Sequence, residues 1–478
     1  MTSPESPKGA EGTTVPAVAH AEVGPVNPPP LVDGRPTRAT RRDQRPSLKA
    51  NSAARLVSDV SALGFSLVAA AVTARLLTPA GKGYYSSLLL LGGVFVVCFS
   101  AGLGEAAIVL TGRKRFPRDI AFPATVLAVG VLSVAGAVLY LVVAHLVLGA
   151  ETANDRLAVV LGAGFTGVGV QYNTTAAFLV AQERVVLVAV LAIVAAGLST
   201  VALWILMAVA DMAAAGAILG GIVGSGTALT ATLVYLRRSK VRLRPLWSAA
   251  YLRAALPFGA SLQVSNLLVL MTARVDLIFV YRLASPAEAG WYSVALTIGT
   301  IVASVPTALS YASFPRLAAL DEEEAQSLIP QVFRVGMVAA LVCGAALALA
   351  TPVVIPLLFG SAYSGAIGPT LVLIPGGILW SGQWILCRAS AARGESKPLL
   401  LSFLASCATM IALDLVLIGP FGAMGAAAAS LIASTVGLLV SIFFYRQLGW
   451  DWANMVPGAK DVSAFAQAIK KIVSPGGT

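Results

Sequence analysis

Between residues 54 and 445 the chain alternates long apolar runs with short polar breaks. About 20 consecutive apolar residues cross the hydrocarbon layer as one helix. The runs predict twelve spans: Ala54–Leu77, Ser87–Leu110, Pro123–Leu148, Leu157–Val180, Val186–Val209, Ala213–Leu236, Leu256–Tyr281, Trp291–Ala312, Gly336–Leu357, Pro369–Cys387, Leu399–Leu417 and Ala423–Tyr445. The fold class that follows is all-α integral membrane, with about 12 transmembrane helices. Residues 1–50 are rich in Pro, Ala, Gly, Ser and Thr without apolar periodicity, and read as a disordered basic cytoplasmic tail. Residues 447–478 form a second tail, in which Lys460 to Val473 places Val462, Phe465, Ile469 and Ile472 on one face. That pattern fits a short interfacial helix or a weakly ordered tail.

Two stretches share a wording. Arg75 to Ser86 reads RLLTPAGKGYYS and Arg282 to Ser293 reads RLASPAEAGWYS, identical at seven of twelve positions at an offset of 207 residues. Each follows one apolar run and opens another. Gly216-Ala217 and Gly425-Ala426, and Tyr235 and Tyr445, recur at nearly the same offset. A duplication explains this, giving one six-helix lobe at 51–245 and another at 246–446. Both copies fall on the same side of the membrane, so the lobes are parallel repeats that hinge at these turns.

Composition agrees. Apolar residues make up 57% of the chain and charged ones 12%, against roughly 45–50% and 25% in soluble domains. The net charge of +11 needs no nucleic acid as partner, because the basic residues track topology. With the N-terminus inside, 28 Lys and Arg fall on the cytoplasmic side and Arg75, Lys82, Arg156 and Arg282 outside, with Arg274 inside a span. This asymmetry places both termini in the cytoplasm. The run RPTRATRRDQRPSLK beside the first helix suits anionic lipid headgroups. Cys98, Cys343, Cys387 and Cys407 lie in apolar runs and form no CxxC pair, so they read as packing residues.

The chemistry is restricted to the spans. No GxxxxGK[ST] motif occurs, and His20 and His145 lack neighbours at metal-ligand spacing, so neither ATP hydrolysis nor a metal site is expected. Outer segments are too short for a glycan polymerase. Polar groups in hydrocarbon are costly and face bundle interiors or cavities. In the first helix Asn51, Arg55 and Asp59 share a stripe, and Asp59 is either paired with Arg55 or a proton- or ion-coupling acid. Glu105 in GLGEAA is a second acid of that kind, with Arg55 as its alternative partner. The seventh span holds Gln263, Asn266, Arg274 and Asp276. Arg274 binds either a pyrophosphate in a central cavity or an acid on another helix. Asn173, Gln383 and Arg388 complete the candidate cavity set, as hydrogen-bond partners of sugar hydroxyls or as interhelical glue. Asp414 reads as interfacial.

The two six-helix halves, RLLTPAGKGYYS, GLGEAA, LPFGASLQVSNLLVLMTARVDLIFVYRLASPAEAGWYSVA and CRASAARGESKP together resemble the polysaccharide-transporter (Wzx-like) branch of the multidrug/oligosaccharidyl-lipid/polysaccharide flippase superfamily. The likeness runs from Asn51 to Tyr445. It implies paired lobes around a cationic cavity, alternating access across the cytoplasmic membrane, and a polyprenyl-pyrophosphate-linked oligosaccharide as cargo. It also implies no enzyme activity and no cofactor, H+ or Na+ coupling or the membrane potential as the driving force, and glycosyltransferases and a glycan polymerase as pathway partners. Lipid II flippases are similar but carry two further helices and several cavity arginines. Ion-coupled drug antiporters of the same superfamily share the helix number and an acid in the first helix, and stand as the alternative.

Overall fold

The computed structural model describes residues 48–239, 241, 244–320, 322–447, 455 and 458. The expected tails, the Lys460–Val473 segment and the side chains of Asn51 and Arg55 lie outside the described residues, and so do the proposed Arg55 pairings. Among the described residues the fold is helical without strands: α1 (Leu48–Leu76), α2 (Pro79–Ser100), α3 (Leu103–Gly112), α4 (Arg118–Leu148), α5 (Ala153–Ala181), α6 (Val185–Ala208), α7 (Ala213–Arg238), α8 (Ala249–Arg274), α9 (Asp276–Leu283), α10 (Pro286–Ala319), α11 (Glu322–Phe359), α12 (Ile367–Ala392) and α13 (Lys397–Gln447), with one 3₁₀ turn at Ser361–Ala366.

Ten described stretches are long and apolar enough to cross a membrane. The 51-residue α13 counts as one of them, although Gly422 (φ 56°, ψ −135°) breaks it. Its two arms, of about 25 residues and roughly 37 Å each, both reach across a bilayer. The 29 residues of α5 are also long enough, but Gln171, Asn173, Thr174 and Thr175 dilute their apolarity. Twelve crossings result. Two of them are interrupted where an unbroken helix is expected: α2 gives way to α3 at Ala101–Gly102, both left-handed, and α8 to α9 at Val275.

Helices α1–α7 pack mainly among themselves, as do α8–α13, and the broadest contact between the halves is α2 against α10. The repeated stretches form this contact. Thr78 accepts from the Gly81 N–H and Ser285 from the Glu288 N–H, both at 3.2 Å, and Pro follows each cap. A Ser/Thr cap with Pro at the first helical position satisfies the helix start without a wasted donor. One turn on, the helices meet through bare glycine. A Cβ at Gly83 would stand 2.0 Å from the Pro286 carbonyl oxygen, and one at Gly290 would stand 1.9 Å from that of Pro79. The contact is reciprocal under the 207-residue offset. Tyr84 donates to the Gly149 carbonyl and Trp291 to that of Ala362, so each copy also anchors the connection before the fourth crossing of its own half, α4–α5 or α11–α12. The expected turns are therefore helix starts that clasp one another.

A second clasp lies 19 residues further along the same crossing, roughly 28 Å away. A Cβ at Gly102 would stand 2.2 Å from the Gly259 carbonyl oxygen, and one at Gly259 2.5 Å from that of Ala101. The left-handed Ala101–Gly102 break brings these backbones together, a conformation that glycine adopts at little cost. The halves thus touch near both membrane faces.

Candidate functional site

Beside these clasps lies a cavity of about 510 Å³ bounded by α1 from the first half and α8, α10, α12 and α13 from the second. Its volume is within the roughly 300–1,000 Å³ usual for ligand sites. Along α10 the lining runs from Leu296 to Tyr311, about 22 Å of helix. Small and hydroxylated residues dominate this wall, with Gly299, Thr300, Ser304 and Thr307 on α10 and Ser430 and Ser434 on α13. Some of these hydroxyls also bond a carbonyl three residues back in their own helix, Ser304 to Ile301 at 2.7 Å and Thr300 to Thr297 at 2.8 Å. That bond consumes the proton and leaves oxygen lone pairs to accept from a ligand. Asp59 is the one charged side chain on the described lining, and Tyr311 and Trp380 are its aromatic residues.

Of the residues expected from sequence, Asp59 reaches this cavity. Arg274 does not line it, although the preceding Thr272 and Ala273 do. Arg274 is half-buried and forms no ion pair or hydrogen bond among the described residues. Asn173 and Asn266 are exposed outside the lining, and Asn266 donates only to Gln263, at 3.4 Å.

Other candidates are engaged in holding helices together. Buried Gln263 donates to the Val97 carbonyl and, at 3.1 Å, to the Ser100 hydroxyl, joining α8 to α2 next to the Gly102–Gly259 clasp. Gln383 is fully buried and bonds Ser406 at 3.1 Å, between α12 and α13. Glu105 sits in the first turn of α3, where a carboxylate complements the positive end of the helix dipole. Arg388 stacks on Tyr311 and lies outside the cavity lining.

Asp276 is likewise not a cavity residue here. It is fully buried and accepts from the Leu277 N–H at 2.8 Å and from the Tyr292 hydroxyl at 2.5 Å. Asp414, expected at the interface, is also fully buried, and neither carboxylate oxygen has a hydrogen-bond partner among the described residues. It lies within Coulombic reach of Asp276 and Tyr292. The packing of α9 and α13 through Leu277, Val280 and Ile418 carries Asp414 inward. No local pattern marks this cluster, because its members come from α9, α10 and α13. Among the described residues no set of three metal-ligating side chains converges.

A family model described as "Polysaccharide biosynthesis protein" matches residues 72–368. No curated protein matches the sequence. The fold is similar to that of "Lipid II flippase MurJ, inward closed conformation", with a TM-score of 0.68 and 11% identity over 87% of this chain and 90% of that one. It is similar to an inward-facing multidrug resistance MATE family transporter of the MOP superfamily, with a TM-score of 0.65 and 14% identity over 83% and 97%. The MATE multidrug transporter DinF-BH matches at a TM-score of 0.59 and 14% identity over 85% and 96%.

Proposed function

The chain belongs to the polysaccharide biosynthesis protein family, and from that premise we propose that this multi-pass membrane transporter flips a polyprenyl-pyrophosphate-linked oligosaccharide across the cytoplasmic membrane. The single observation that carries the reading is the cavity inside the span region, a mainly apolar chamber set with serine and threonine hydroxyls, with Arg274 following directly on its lining residues Thr272 and Ala273. Serine and threonine oxygens suit sugar hydroxyls. Arg274 suits the pyrophosphate, since guanidinium stays charged and holds phosphate oxygens in pairs. The apolar polyprenyl tail stays in the surrounding lipid. Access alternates as the Gly83–Gly290 clasp and the Gly102–Gly259 clasp release in turn, one at each face of the membrane. Both termini are cytoplasmic in this reading.

The driving force is H+ or Na+ entry, or the membrane potential. Asp59 in the cavity and the buried Asp276–Asp414 pair are the acids that serve it. The Asp414 carboxylate, which has no donor among the described residues, is costly in the membrane interior unless a proton or cation accompanies it. Loading and release there would bias the packing of α9 against α13.

Arg274→Ala is expected to abolish flipping in proteoliposomes supplied with lipid-linked oligosaccharide, at normal expression. Full retention of transport removes arginine from the mechanism. One observation favours a second reading, ion-coupled export of cationic drugs: the described lining carries an acid and no base. Loss of drug resistance on deletion, with surface glycan intact, decides for it.

A further inference from the structure

One stripe of α12 is absorbed by neither the cavity's hydroxyls nor the clasps. The helix is buried over Ser381, Gly382, Gln383, Ile385, Leu386 and Cys387, yet Trp380, Trp384 and Arg388, spaced four apart on one face, are half-exposed. Trp380 lines the cavity, and the stripe continues from it toward the C-terminal end of α12.

The rings make a continuous platform. Trp380 and Trp384 stack nearly parallel, 5.4 Å apart at 10°. Phe403 on α13 supports both edge-on, at 6.4 Å and 6.1 Å. Tyr311, at the far end of the α10 lining, meets Trp384 at 6.4 Å. The Arg388 guanidinium lies 4.9 Å from the centre of the Tyr311 ring and 5.8 Å from that of Trp384, tying the two helices at the end of the platform.

We propose that this platform is the glycan subsite of the transporter, with the cavity-lining Trp380 stacking on the C–H face of a neutral pyranose ring, Trp384 backing it from behind, and Arg388 acting as a positioning residue that holds Trp384 and Tyr311 in place. It rests on the reading of the cargo as a lipid-linked glycan. Two observations favour a neutral sugar over a drug cation. The negative faces of Tyr311 and Trp384 already attend a resident guanidinium, which repels a second cation. The opposing hydroxyls of Ser304 and Thr307 on α10 offer acceptors for ring hydroxyls.

The test uses the full chain in lipid nanodiscs, titrated with a short-chain prenyl pyrophosphate, the same lipid bearing a neutral disaccharide, and tetraphenylphosphonium. Trp380→Ala and Trp384→Ala are expected to weaken binding of the glycosylated probe by roughly five- to tenfold and leave the bare pyrophosphate unaffected. Trp380→Phe, which keeps a ring, restores most of the loss and controls for folding. Arg388→Lys, which keeps the charge without the planar stack, behaves like the Trp→Ala variants. Equal loss for both pyrophosphates, no loss, or an effect confined to tetraphenylphosphonium overturns the subsite while the cargo reading stands. Failure of the unaltered protein to bind either pyrophosphate overturns the cargo reading, and this one with it.

Discussion

Gly290→Ala tests whether the reciprocal glycine contact is a gate. The added methyl would stand 1.9 Å from the Pro79 carbonyl oxygen and 2.7 Å from its carbonyl carbon. Both are backbone atoms, so no rotamer change relieves the clash. Restoring ordinary contact requires α2 and α10 to part by roughly 1.5 Å. Overpacking of this kind costs about 1–3 kcal/mol. Only the state in which the clasp is closed bears that cost, so the open-to-closed ratio at this face should rise about five- to 150-fold. Gly83→Ala should match it, because its methyl would meet Pro286 at 2.0 Å. The double variant should add little, since one separation relieves both clashes. Gly259→Ala is the control at the other clasp and should leave this face closed. The assay is a pulsed electron paramagnetic resonance distance between spin labels at exposed Asp211 and Ser361, which lie on different halves at the same face, with the exposed native thiol Cys98 changed to Ser. A distance distribution unchanged in both Gly83→Ala and Gly290→Ala refutes the gate.

Glu288 accepts from the Ala423 N–H at 2.7 Å, at the start of the second arm of α13. Glu288→Ala uncaps that arm, and thermal unfolding in detergent should show a loss of about 1 kcal/mol. An unaltered melting temperature would show that solvent or lipid replaces the cap. For coupling, Asp414→Asn should preserve binding of lipid-linked glycan while flattening the dependence of flipping on an imposed pH or Na+ gradient. Persistence of the wild-type gradient dependence excludes Asp414 from coupling.

Local sequence determined the crossings. Hydropathy acts residue by residue, so the apolar runs locate each span, although some spans begin eight or nine residues earlier than expected, at Pro79 rather than Ser87 and at Ser327 rather than Gly336. The wording repeated at 207 residues reads as two turns, whereas the structure makes Thr78 and Ser285 helix caps, with the helices starting at Pro79 and Pro286. The break at Gly422 is legible, falling between the expected spans Leu399–Leu417 and Ala423–Tyr445, but the one at Ala101–Gly102 is not. Ala101–Gly102 leaves the helical conformation where it meets Gly259, which is remote in sequence.

The site divided in the same way. Sequence could say that Gln263, Asp276, Gln383 and Asp414 are polar groups in hydrocarbon that need partners. It could not say which partner each finds. Tertiary packing gave Gln263 to Val97 and Ser100, Gln383 to Ser406, and Asp276 to Tyr292, taking them off the cavity wall. It brought Asp59 to a cavity built mostly from the other half of the chain, and it kept Arg274 off that lining, within Coulombic reach of Asp276. The cost of burying a polar group follows from its type and environment alone, which a single run of residues reveals. The identity of its partner depends on which helices become neighbours, and only the folded bundle decides that.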